Sequence, residues 1–93
     1  MGGYELQVAA SAERALARFP EAAITAIIEF MTGPLLADPQ RLGKPLKLEL
    51  ELELEGYFSA RRGAYRVIYS IDDAECVVRV VCIDHRSDVY RPR

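Results

Sequence analysis

The stretch that decides the fold is "GYFSARRGAYRVIYSI", Gly56 to Ile71. "GYFSAR" and "AYRVIYSI" each read as a strand, and Arg62-Gly63 between them supplies a tight hairpin. Successive side chains of a strand point to opposite faces. Tyr65, Val67, Tyr69 and Ile71 therefore share one face, assigned to the core, and Arg66 turns to the other. Across the hairpin, Phe58 and Ala60 join the core face, while Tyr57, Ser59 and Arg61 lie with Arg66. An arginine is costly to bury unpaired, so that second face is expected to stay uncovered. Two readings of Arg66 stand side by side: a displayed functional cation, or a solvated residue paired with a carboxylate such as Asp84.

Outward from the hairpin, Asp72-Asp73 predicts a turn, and "ECVVRVVCI" predicts a third strand rich in β-branched residues. Upstream, "YELQVAA" (Tyr4 to Ala10) alternates like a first strand. Ser11 reads as the N-cap of a helix over "AERALARF". Pro20 ends that helix and opens a second, in which Ile24, Ile27, Ile28 and Met31 form an apolar stripe. Gly33-Pro34 stops it, and "LLADPQRLGKPL" reads as a turn-rich connector. The order is β-α-α-β-β-β. The expected fold is α+β, a helical hairpin packed on one face of a small, mostly antiparallel sheet, forming one domain over residues 1–93.

Apolar residues make up 51% of the 93 and charged residues 28%, which excludes a disordered chain. No apolar run approaches the ~20 residues of a membrane span. "MGGYELQV" lacks the basic and apolar regions of a signal peptide, so no membrane association and a cytoplasmic location are expected. Cys76 and Cys82, if on one strand, stand about 20 Å apart, beyond disulfide reach. With one histidine they make no metal site, and they read as two buried thiols. The net charge of −2 hides an uneven distribution. Four acids fall in one run, Glu49, Glu51, Glu53 and Glu55, whereas seven of the ten arginines lie between Arg61 and Arg93. The C-terminal "IDHRSDVYRPR" adds His85, Arg86, Tyr90 and Arg91 after the last strand. Arginine suits a phosphate through its planar fork of donors, and His or Tyr can move protons. These are the parts for acting on a phosphodiester.

Three ordered motifs, "RLGKPL", "GYFSARRGAYRVIY" and "HRSDVYR", resemble the RelE/ParE superfamily of bacterial toxins, and within it the RelE branch. The resemblance implies an mRNA interferase that enters the ribosomal A site and cuts mRNA without a metal or cofactor. A ribose 2′-hydroxyl attacks the adjacent phosphate, leaving a cyclic phosphate and a free 5′-hydroxyl. It implies a cognate antitoxin as partner, with operator DNA met only through the antitoxin complex. Residue by residue, it gives Arg66 the stabilisation of the pentacoordinate phosphate. Arg61 becomes the basic residue before the hairpin, Arg86 the arginine after the last strand, and Tyr90 the nearby aromatic. The best-known RelE carries two lysines where this chain has Tyr57 and Ser59, and His85 is the candidate to serve as general base instead. Two alternatives remain: a ParE-branch toxin that poisons DNA gyrase, or a degenerate toxin that mainly binds its antitoxin.

One segment departs from the family pattern. "KLELELELE" lengthens the link between Pro45 and Gly56. Its period of two is a strand pattern, with Leu48, Leu50, Leu52 and Leu54 on the core side and four glutamates on the arginine side. The alternative is a tandem expansion of a loop.

Overall fold

A computed structural model describes residues 4–45 and 56–85. The Leu48–Glu55 run lies outside the described residues, as do Arg86 and Tyr90. The chain forms β1 (Glu5–Val8), α1 (Ala10–Ala17), α2 (Glu21–Thr32), α3 (Pro34–Ala37), α4 (Pro39–Leu42), β2 (Lys44–Pro45), β3 (Tyr57–Arg62), β4 (Tyr65–Asp72) and β5 (Val77–His85). The five strands make one sheet in the order β1-β5-β4-β3-β2. β1 runs parallel to β5, and every other pair is antiparallel. This is the expected α+β architecture, with two additions. The connector after α2 winds into the single turns α3 and α4, each opening on a proline, where the fixed φ and missing N–H cost nothing. A two-residue strand, β2, then extends the sheet beyond β3.

The hairpin turn falls one residue later than the sequence suggests, at Gly63-Ala64, because Arg62 still pairs with Tyr65. Gly63 takes φ +62° while Ala64 stays at negative φ, the pattern of a type II′ turn. Ser11 does not cap α1. Ala9 occupies that position, and the Ser11 hydroxyl points instead at the Val81 carbonyl, 3.5 Å away. Cys76 is no buried strand thiol either. It is exposed in the turn before β5, at φ +55°.

The core lies between the helices and one face of the sheet. Ala60, Val67, Tyr69, Val78, Val80 and Ile83 meet Ala12, Ile27, Phe30, Met31 and Leu35 there. The parity read from β4 holds: Val67 and Tyr69 are fully buried against the helices. In α2 the stripe is largely spent on this core through Ile27 and Met31, while Ile28 remains 43% exposed.

Tyr69 also fixes the connector. Its buried hydroxyl donates to the Pro39 carbonyl at 2.6 Å. Burial pushes its pKa up to about 12, opposed by a backbone hydrogen bond from Gly43. Gly43 passes so close that a Cβ there would overlap this hydroxyl. Gly43→Ala is therefore expected to destabilise the fold by about 1–3 kcal/mol through overpacking. Adding Tyr69→Phe frees the space the new methyl needs. Denaturant titration of both single variants and the double should show the double losing less than the summed single losses.

Candidate functional site

Residues paired across an antiparallel ladder share a face. On the side away from the helices, Arg61 of β3 stands directly opposite Arg66 of β4, and Arg66 directly opposite Asp84 of β5. The next row along the same face is Ser59, Ile68 and Cys82. Tyr57 and Ser59 lie on this face as expected, both half-buried. Two arginines therefore stand side by side on neighbouring strands, with one carboxylate on the third.

The pairing with Asp84 follows from an irregularity in β5. Tyr69 pairs with Val80, but Ile68 pairs with Cys82, so Val81 is an extra residue, a β-bulge. The bulge resets parity. Val78 and Val80 face the core before it and Ile83 faces the core after it, which sends Cys82 and Asp84 to the arginine face.

Arg66 Nη2 lies 3.7 Å from Asp84 Oδ2. That is an ion pair without hydrogen-bond contact, between side chains 27% and 36% exposed, and such partly exposed pairs contribute little stability. The Nε of Arg66 is buried with no hydrogen-bond partner among the described residues. The guanidinium thus keeps donors in reserve. Both sequence readings of Arg66 hold in part: it pairs with Asp84, yet its donor fork is not consumed. The Cys82 thiol donates to the same carboxylate, Sγ to Oδ2 at 3.2 Å.

His85 is not brought to this face. It pairs with Tyr65 on the helix side and meets that ring edge-on, with centroids 5.0 Å apart. Tyr65 in turn packs on Phe19 at 4.7 Å. A cleft of about 520 Å³ opens there, lined among others by Arg18, Phe19, Tyr65 and His85. A proton-transfer group must sit within hydrogen-bond reach of its proton. The expectation that His85 joins Arg61 and Arg66 is therefore not met by the geometry. The register carries the reason, because the bulge turns His85 inward together with Ile83.

Lys44 is a basic residue that the sequence reading passed over. It pairs with Ser59 across β2 and β3, which puts it on the arginine face. A two-residue strand carrying a proline leaves no periodic signal to find it by. Among the described residues no cluster of His, Cys, Asp and Glu is arranged to hold a metal.

Residues 6–90 match the family model described as the ParE toxin of the type II toxin–antitoxin system parDE. The chain belongs to this RelE/ParE family of toxins. It is similar to Toxin RelE of Mycobacterium tuberculosis, 49% identical over 88 residues, covering 95% of this chain and 87% of that protein. Toxin RelG of the same organism is 43% identical over 88 residues, covering 95% and 97%. Among solved structures, the toxin–antitoxin complex RelBE2 of M. tuberculosis aligns with a TM-score of 0.84 at 42% identity, covering 95% of this chain and 97% of that one. This RelE/ParE toxin carries Arg61, Arg66 and Asp84 in one row on the face of its sheet away from the helices.

Burial, then the hydrogen bond to Asp84 and its charge, push the Cys82 thiol from 9.0 up to about 11, with Arg66 opposing. The folded state therefore holds this proton more tightly than the unfolded chain. The corresponding stability is complete below about pH 9 and is lost as pH rises from 9 to 11. Iodoacetamide at pH 8, followed by mass analysis, should label exposed Cys76 and leave Cys82 largely unmodified. Asp84→Asn should speed labelling of Cys82, since it removes the negative charge that favours the protonated thiol.

Proposed function

We propose that this toxin is a ribosome-dependent endoribonuclease that cuts mRNA in the A site. A ribose 2′-oxygen bonds to the adjacent phosphorus, the P–O5′ bond breaks, and a 2′,3′-cyclic phosphate and a 5′-hydroxyl result. The 2′-hydroxyl proton leaves to a base and the departing 5′-oxygen gains one. The observation that carries this reading is Arg61 opposite Arg66 on the face away from the helices, where Arg66 meets Asp84 only at 3.7 Å and its Nε has no hydrogen-bond partner among the described residues. Like charges on neighbouring strands repel, and an anion seated between them turns that cost into binding. As negative charge builds on the phosphate, the guanidinium of Arg66 stabilises it, with Arg61 beside it. In this reading Arg86 adds a further phosphate contact and Tyr90 stacks on a base. His85, held against Tyr65, stays outside the reacting set.

A cognate antitoxin is the proposed protein partner, and operator DNA is met through that complex alone. Support comes from the similarity to the RelBE2 complex and from the apolar Ile28 left exposed on α2. Co-expression with the antitoxin gene should raise soluble yield and give a complex that co-purifies. Free expression without growth arrest would count against both the toxin activity and the partner.

The second reading, poisoning of DNA gyrase, draws on the ParE description of the matching family model. Two assays separate them: mRNA cleavage on programmed ribosomes with primer extension, and inhibition of supercoiling by gyrase. Cleavage without gyrase inhibition is the expected outcome. Arg66→Ala should lower the cleavage rate by about 10² or more while melting temperature changes little, because no core cavity forms. Arg66→Lys should recover only part, since a point charge cannot replace the fork. His85→Ala should keep the wild-type pH profile of cleavage. A flattened profile would return His85 to the proton-transfer step.

A further inference from the structure

We infer that Lys44, together with Ser59 and Arg61, forms a second phosphate subsite that holds the RNA backbone beside the linkage at Arg66. The inference rests on the ribonuclease reading above and adds to it a binding residue outside the arginine pair. Lys44 pairs with Ser59, and Ser59 pairs with Ile68, next on that face to Arg66. All three strands therefore present these side chains on one face. β2 and β4 are two strand spacings apart, about 10 Å, with Arg61 on the strand between them, so Lys44 extends the cationic row one strand beyond the arginine pair.

A cleft of about 430 Å³ lies between these residues, lined by Leu42, Lys44, Ser59, Ala60 and Arg61. Its polar lining is two cations and a hydroxyl, with no carboxylate among the described residues. The contrast with Arg66 is direct. Arg66 has Asp84 at 3.7 Å, whereas Lys44 and Arg61 have no ion pair among the described residues. Such a lining favours an anion, and on the ribonuclease reading that anion is a phosphodiester of the RNA backbone. The backbone that carries Lys44 is also fixed. Gly43 before it lies against the buried Tyr69 hydroxyl, and Lys44 itself is held in the ladder with Ser59. A lysine on an edge strand has an ordinary explanation too, since it discourages edge-to-edge pairing. The two explanations differ in whether Lys44 senses the charge of one particular linkage.

The test is cleavage on programmed ribosomes, using mRNA in which either linkage flanking the scissile phosphate is a neutral methylphosphonate. On unmodified mRNA, Lys44→Gln should lower kcat/KM about tenfold, as for one charge-assisted hydrogen bond. Lys44→Arg should retain most of the activity, and melting temperature should not move, since Lys44 is exposed. For the wild type, one of the two methylphosphonates should give a similar loss. With that linkage neutral, Lys44→Gln should cost nothing further. Full activity of Lys44→Gln on unmodified mRNA, or losses that simply multiply with each methylphosphonate, would overturn the subsite and leave the ribonuclease reading standing. Failure of the wild type to cut unmodified mRNA would overturn the ribonuclease reading itself.

Discussion

One inserted residue in β5 governs what the sheet offers on each side. Because side chains alternate with a period of two, a single extra residue flips every side chain beyond it. At Val81 this flip keeps Ile83 in the core and delivers Asp84 to the row of Arg66. Without it, the acidic Asp84 would point at Phe19 and the helices, and Ile83 would point at solvent. The Ser11 hydroxyl reaches toward the Val81 carbonyl at the same place, so the start of α1 rests on the irregularity. The face that carries Arg61, Arg66 and Asp84 and the face that carries His85 and Tyr65 are both set by this point in the ladder.

That flip also explains what the sequence could and could not reveal. β4 was legible because Tyr65, Val67, Tyr69 and Ile71 share one parity while Arg66 and Ser70 take the other, although Ile68, buried on the arginine face, breaks the polar side of the pattern. β5 was not, because "VVRVVCI" offers a valine to either face at Val80-Val81, and β-branched residues fit the pleat on both sides of a bulge. His85 was misplaced for that reason. The connector was unreadable for another: α3 and α4 span one turn each, too short for apolar periodicity, and β2 is two residues long. Lys44 went unnoticed with it. Cys76 was mistaken for a strand residue because Glu75 and Cys76 continue a β-rich run, although the chain turns there at positive φ.

The arginine face is arranged against the interest of stability. Arg61 and Arg66 face one another across the ladder, and among the described residues Arg66 Nε lacks a partner and Asp84 stays outside hydrogen-bond distance. A surface selected only for folding would give each cation an acceptor, as Arg79 has in Gln7 Oε1, 3.0 Å away on the neighbouring strand. Local rules broken in one place while the rest of the fold obeys them are where a functional surface is to be sought.

The parallel pairing of β1 with β5 has a consequence for the order of assembly. Glu5 pairs with Val77 and Val8 with Val80, so the first strand of the chain waits through about seventy residues of synthesis for its partner. β5 lies between β1 and β4 in the sheet, so no shorter nascent chain can join β1 to the hairpin. Contacts this distant in sequence raise the loop-closure cost and slow folding. The helices must leave the ribosome with their apolar faces uncovered, and Asp84 reaches Arg66 only when β5 zips in. A chain truncated before Val77 can form the β3–β4 hairpin with its two arginines, but has no closed sheet to hold them in place.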